Sequence, residues 1–264
     1  MDNEPSFWQR QIIDKPLFPD LFWTRPEQRQ LGGKLLIIGG QAGSFATVAK
    51  AYESAQQAKI GTLRILLPDK LRKTVDSFLP GAIYAPSNIS GSFAQAAVAS
   101  FLTESSWADG VLLAGDFGKN SETAIVLEKF VQKYTGQLTI THDTLDYWLH
   151  VSQPILDRAS TLIVLNLTQF QQFSTANRSA MVITADMGLI PLVNSLHNFS
   201  LHHAASLIVC YEQMIIVANR GRVVSTVQPA IKTISTIRVA ANAAVWWLQN
   251  PAKQFEALSC AVTI

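Results

Sequence analysis

Gly33-Lys34-Leu35-Leu36-Ile37-Ile38-Gly39-Gly40-Gln41-Ala42-Gly43-Ser44 is the stretch that decides the fold. Leu35 to Ile38 are four apolar residues in a row with no polar residue between them. That is the mark of a strand covered on both faces, and such strands belong to parallel sheets. The glycines that follow end the strand and permit a tight turn. Residues 44–58 are Ala-rich with helical spacing, and Gly61 stops them.

The same alternation continues outward. Further strands are expected at residues 63–67, 82–84, 110–113, 138–140, 161–165, 208–210, 214–218 and 223–224. Helices are expected at 93–103, 121–134, 186–200, 239–248 and 252–262. Strands alternating with helices of this length give an α/β fold with a doubly wound, mostly parallel central sheet. Residues 1–30 differ: Trp8, Phe18, Phe22 and Trp23 stand among prolines with no helical or alternating pattern. They read as an aromatic, Pro-rich arm docked on the body or on a neighbouring subunit, with residues 31–264 forming one domain.

Composition narrows the function classes. The 264 residues carry 21 Lys or Arg against 19 Asp or Glu, a net charge of +2. No strong field draws in nucleic acid or an anionic membrane. The longest apolar stretch, Val239 to Leu248, falls short of the roughly 18–20 residues that span a bilayer. The amino terminus lacks a basic region followed by an apolar one, so no secretory signal is expected. Cys210 and Cys260 are too few for a disulfide scaffold or a zinc cluster, and a reducing cytoplasm is the simplest setting. Only 15% of residues are charged, which implies unusually complete burial, a homo-oligomer interface, or both.

Ligands of open parallel sheets bind at the carboxyl ends of strands, so the turns after strands hold the candidates. The first is Gly40 with Gly43 and Ser44. It lacks both the G-x-G-x-x-G spacing and a Walker lysine, which leaves a packing turn and a binding loop both open. The second runs from Ala114 through Gly115, Asp116, Gly118, Lys119, Asn120 and Ser121 to Thr123. Backbone N–H groups of 118–123 could hold a phosphate there, with Lys119 adding charge and Asn120 or Ser121 capping the next helix. The third is Thr141-His142-Asp143-Thr144, where Asp143 is the candidate carboxylate. Adjacent strand residues point opposite ways, so His142 and Asp143 need not share a site. His202-His203 has no Asp, Glu or Cys at ligand spacing, and no metal site is expected. There is no G-x-S-x-G nucleophile elbow either.

Laid out in order, these segments resemble the ribokinase-like superfamily, and within it the carbohydrate-kinase-related ADP- or ATP-dependent NAD(P)H-hydrate dehydratases. The resemblance implies a three-layer α/β/α sandwich. The family's "GK-x-L-x-IGG-S" opening falls on Gly33-Lys34-Leu35 through Gly40, and its "GPGLG-R-x-x-x-T" loop on Ala114 through Thr123. Its "D-A-D-A-L-N" segment falls on Thr141 to Asp146, keeping Asp143. Its "N-x-x-E" falls on Asn166 to Gln169, where an amide replaces a carboxylate that helps hold hydrated Mg²⁺. Its "G-T-G-D" falls on Ser235-Thr236-Ile237-Arg238, counted back from Phe255-Glu256-Ala257.

The resemblance thus implies ADP or ATP, with Mg²⁺, bound at the carboxyl end of the sheet. It implies NAD(P)HX as substrate and lyase chemistry of the dehydratase type. Asn166, Gln169, Thr236 and Arg238 would join the nucleotide-holding groups. Arg238 cannot act as a base at neutral pH, so the expected activity rests on Asp143 or Asp116. The other reading is a catalytically inactive pseudoenzyme, a nucleotide-sensing or structural homo-oligomer.

Overall fold

The computed structural model describes residues 5–76, 79, 81–177, 183–184, 186–228 and 234–263. Residues 1–4 of the arm and Ile264 lie outside them. In chain order the first half comprises β1 (Trp8–Ile12), α1 (Asp20–Trp23), β2 (Lys34–Gly39), α2 (Ala46–Gln57), β3 (Thr62–Pro68), α3 (Arg72–Val75), β4 (Ile83–Ala85), α4 (Ala97–Trp107), β5 (Gly110–Gly115) and α5 (Ser121–Lys133). The second half comprises β6 (Gln137–Thr141), α6 (Gln153–Leu156), β7 (Thr161–Asn166), α7 (Leu167–Ala176), α8 (Leu189–His202), β8 (Ser206–Tyr211), β9 (Met214–Asn219), β10 (Arg222–Val227), α9 (Thr236–Gln249) and α10 (Gln254–Ala261).

All ten strands form one sheet in the order β1-β10-β9-β8-β7-β6-β5-β2-β3-β4. β9 alone runs against the others, pairing antiparallel with both β8 and β10. The chain starts the sheet at β2 and moves out through β3 to β4. It then returns to the other side of β2 with β5. The order therefore reverses between β2 and β5, the place where open α/β sheets receive ligands.

Leu35 to Ile38 justify the reading of β2, since all four are fully buried. Leu36 and Ile38 face a core with Phe101 of α4, Phe130 of α5 and Phe173 of α7. Leu35 and Ile37 face the opposite core, with Val48 of α2, Trp246 of α9 and Leu258 of α10. Two helical layers thus enclose the sheet. Each such buried side chain contributes about 1.5–3 kcal/mol relative to exposure. The closed faces, not any single bond, hold the loops at the strand ends.

Several segments differ from the sequence expectation, among them the helix α7, which was not expected, and the arm, α4 and α9. The arm is not pattern-free: Trp8–Ile12 is β1, added parallel to β10. Its signal was hidden because Trp8 and Gln11 are the buried pair while the residues around them face outward. Trp8 Nε1 donates to Ser225 Oγ at 2.9 Å, and Gln11 Nε2 to Thr226 Oγ1 at 2.8 Å and the Ser259 carbonyl at 2.7 Å. Farther along the arm, Phe22 packs edge-on against Trp246 and Phe18 against Phe255. These contacts dock the arm on the body of its own chain.

α4 begins at Ala97 rather than Phe93. A turn at residues 88–92, closed by Asn88 N to the Ser92 carbonyl, precedes it. The Phe93 carbonyl then accepts Thr123 Oγ1 instead of a helical N–H. α9 begins at Thr236, three residues before the apolar run, because Ile237 docks into the core. Among the described residues, no helix is long and apolar enough to cross a membrane.

Candidate functional site

At the sheet's point of reversal, β2 and β5 approach so closely that no side chain fits on Gly39, while a Cβ on Gly115 would meet Asp143 Oδ1 at 2.5 Å. A Cβ on Gly39 would lie 2.4 Å from the Gly115 carbonyl oxygen. The Gly40 N–H donates to that carbonyl at 3.0 Å. Gly40 is therefore buried in the packing of the turn. Gly43 is exposed, and Ser44 exchanges backbone bonds with Gln41. The first loop is a tight turn, and none of Gly40, Gly43 and Ser44 lines a cavity described below.

Asp116 follows at φ 59°. Its Oδ2 accepts the Thr47 N–H and Thr47 Oγ1, both at 2.9 Å. Asp116 thereby caps the first turn of α2 from a distant loop. Its own N–H donates to Asp143 Oδ1 at 2.8 Å.

β6 ends at Thr141, and His142 turns into the left-handed region at φ 60°. That turn breaks the alternation expected of adjacent strand residues, so His142 and Asp143 meet: Nδ1 lies 3.2 Å from Asp143 Oδ1. The hydrogen bond to Asp143 raises the His142 pKa, burial opposes it, and the charges of Asp143, Asp116 and Asp146 add to the rise. Next to this pair, Asn166 and Gln169 form a capping box at the start of α7. Gln169 Oε1 accepts the Asn166 N–H at 3.1 Å, and Gln169 Nε2 donates to the His142 carbonyl at 3.0 Å. A carboxylate could not make the second bond.

Of the expected residues, some line one of two cavities, Arg238 faces a third, and Gly115, Asp116 and Gln169 line none of them. One of the two, of about 540 Å³, is lined by Gly118, Lys119, Asn120, Ser121 and Asp143, with Asp146 and Tyr147. The phosphate role expected of the 118–123 amides meets an obstacle here. Asn120 Oδ1 accepts the N–H groups of Glu122 at 2.8 Å and Thr123 at 3.4 Å, leaving fewer amides for a ligand. Tyr147 donates its hydroxyl to the Gly118 carbonyl.

The other cavity, a cleft of about 520 Å³, lies at the carboxyl ends of β6, β7 and β8 and the amino ends of α2 and α9. His142, Asn166 and Thr236 line it, joined by Thr47, Lys50, Cys210, Glu212 and Ser235. Of these, Thr47, Lys50, Cys210 and Glu212 were missed from sequence, while Ser235 opens the segment matched to the family's G-T-G-D. Lys50 carried a usable signal as the cation of an Ala-rich helix following the glycine turn. Ser235 precedes a 14-residue helix without making a side-chain cap, and the start of α9 borders the cleft. Lys50, His142 and this helix end supply positive charge, and Glu212 is the one carboxylate among the described lining residues. Burial pushes the Cys210 thiol up to about 12, which rules it out as a ready thiolate. Arg238 does not line this cleft; it faces a separate cavity with Arg25.

The cleft can hold an anion, but it does not offer a protein cage for Mg²⁺. No group of three His, Cys, Asp or Glu placed to hold a metal ion occurs among the described residues. Gln169 is occupied at both ends of its amide, and Asp116 Oδ2 is held by Thr47.

No protein-family model and no curated protein sequence matches the chain. Solved structures do. A ribokinase-like superfamily protein from Enterococcus faecalis V583 superposes with TM-score 0.73 at 12% identity, covering 100% of this chain and 87% of that one. A hypothetical protein from Streptococcus mutans gives TM-score 0.69 at 13% identity, over 92% of this chain and 84% of that one. The ADP/ATP-dependent NAD(P)H-hydrate dehydratase of Bacillus subtilis, co-crystallised with ATP and Mg²⁺, gives 0.59 at 10% identity, over 94% of this chain and 86% of that one. At these identities the likeness is one of architecture: the chain has the ribokinase-like three-layer α/β/α fold with a mostly parallel sheet.

Proposed function

We propose that the protein binds ADP or ATP with its phosphates at the amino end of α9, between Lys50 and His142. The observation that carries this reading is the uncapped start of a 14-residue helix opening on the cleft. Exposed amides at a helix start attract a phosphate through direct hydrogen bonds and the helix dipole. Lys50 and a protonated His142 add point charges. Magnesium would enter on the nucleotide's own phosphates, with no cage from this chain.

Binding of this kind does not supply phosphoryl transfer. On the alignment by resemblance, the residue in the place of the family's base is Arg238, whose guanidinium stays protonated. A nucleotide-sensing pseudoenzyme fits that loss. The soluble-ligand setting in the cytoplasm and assembly as a homo-oligomer belong to the same proposal.

A second reading is favoured by the His142–Asp143 contact. Dehydration of a nicotinamide hydrate, NAD(P)HX, needs a proton delivered to the departing hydroxyl. An imidazolium held by Asp143 at the rim of the cleft would deliver one. Asp143 would then orient the imidazole, and Asp116 would hold Asp143 through its backbone N–H.

Thermal unfolding with ADP, ATP and NADPH, with and without Mg²⁺, tests the first reading. Ligand at 100 times Kd stabilises by about 2.7 kcal/mol. No shift at millimolar nucleotide would sink the proposal. If nucleotide binds, an assay for NAD(P)HX turnover with wild type and His142→Gln separates the lyase from the pseudoenzyme.

A further inference from the structure

Beside the cleft, and sharing Ile234 and Ser235 with it as lining, is a cavity of about 300 Å³ between the arm, α2 and α9. Arg25 and Arg238 both face it, and none of its described lining residues is an Asp or Glu. Neither arginine takes part in an ion pair among the described residues. Arg25 is held in place by neutral groups. Its Nε donates to Gln249 Oε1 at 3.2 Å, and a second nitrogen donates to the Ala58 carbonyl. Its guanidinium lies 4.3 Å from the Trp246 ring centroid. Burial lowers its pKa, so the charge is kept at a desolvation cost that no neighbouring carboxylate offsets.

The other polar walls are mostly committed. Asn242 donates to the Ala261 carbonyl at 2.5 Å, Gln228 to the Val262 carbonyl at 2.6 Å, and Ser54 to the Lys50 carbonyl at 2.8 Å. What remains for a ligand includes the Arg238 fork and the free edge of Arg25, with Gln57 and Ser235 as uncharged polar neighbours and no carboxylate among the described lining residues. A guanidinium fork is suited to bidentate contact with phosphate oxygens.

Arg238 lies three residues beyond Ser235, about 4.5 Å along the helix axis. A ribose with a phosphate on either side can bridge that interval. We propose that this cavity receives the second phosphate of a nucleoside bisphosphate whose other phosphate rests at the amino end of α9. The proposal rests on the nucleotide reading above and adds a ligand class to it: nucleotides that carry a separate phosphate on the ribose. Arg238 then serves binding from outside the cleft, with Arg25 bringing the arm into the recognition.

Titration calorimetry with a nucleoside bisphosphate and the matching nucleoside monophosphate tests this. The wild-type protein should bind the bisphosphate at least about tenfold more tightly. In Arg238→Gln the ratio of the two affinities should fall towards one, and Arg238→Glu should invert it. ADP is the control: if ADP does not bind wild type, the reading of the cleft fails and this inference falls with it, and if ADP binds but the bisphosphate does not, the arginine cavity is refuted. If bisphosphate and monophosphate bind wild type equally, the cleft reading stands and the arginine cavity is refuted. The wild-type ratio decides the matter even where a variant folds poorly.

Discussion

The His142 Nδ1 lies 3.2 Å from Asp143 Oδ1, and the same oxygen accepts the Asp116 N–H at 2.8 Å. One carboxylate thereby ties the end of β6 to the end of β5. Through Asp116 and Thr47, the tie reaches the start of α2. Strand ends that could move separately are held as one rim of the cleft.

The first expected outcome is a pH dependence of stability. His142 has a higher pKa folded than unfolded. Its stabilising contribution is complete below the unfolded value of about 6.5 and is lost as pH rises through the folded value. Urea midpoints measured across this range should fall with rising pH in wild type by more than in His142→Gln. Proton NMR of the His142 ring gives the folded value directly. A ring titrating below the free-histidine value would contradict the assigned bond.

Removing the cap on α2 should cost stability. Asp116→Ala leaves the Thr47 N–H and hydroxyl without their acceptor, a loss of about 1–2 kcal/mol. Asp116→Asn should cost less, because it keeps one oxygen and tolerates positive φ. Urea denaturation of both variants checks the order. Equal stability of all three proteins would show that Asp116 is free for other work.

Gln169→Glu separates the family pattern from this chain's own geometry. Glutamate could still accept the Asn166 N–H, but it would set a carboxylate against the His142 carbonyl. A cost of about 1–2 kcal/mol is expected, along with a further rise of the His142 pKa from the added negative charge. Denaturation and NMR together read both effects.

Gln11 tests the arm. Its amide is buried and bonds Thr226, Ser259 and the Leu17 N–H. Gln11→Ala leaves two buried groups and the part-buried Leu17 N–H without their partner and should destabilise by about 2–3 kcal/mol. Native-state proteolysis should then cut the arm earlier than in wild type. An unchanged cleavage rate would mean that β1 is not held by this residue.

Which elements could be read from sequence follows from how local their determinants are. β2 was legible because a strand buried on both faces must be apolar at every position, as Leu35 to Ile38 are. α5 was legible because Asn120 caps it within three residues of chain. β1 was not: two buried positions out of five give no alternation, and the buried Gln11 looks like a surface residue until Thr226 and Ser259 are beside it. α9 was placed three residues late, since Ile237 counts as core only once the sheet lies beneath it.

The same distinction governs the site. The sequence by itself determined a doubly wound parallel sheet, its glycine turns and the presence of Asp116, Asp143, Asn166 and Gln169 near strand ends. Hydrophobic periodicity and turn chemistry act over a few residues, so they are written in the chain. Only the tertiary structure decided which groups meet. It occupied Asp116 with a helix cap, turned His142 onto Asp143 through a left-handed residue, brought Lys50 to the start of α9 and sent Arg238 to Arg25. Those pairings join residues separated by as many as 213 positions, the interval between Arg25 and Arg238. The reason is that hydrogen-bond partners and shared cavities are set by the packing of layers, which no local pattern encodes.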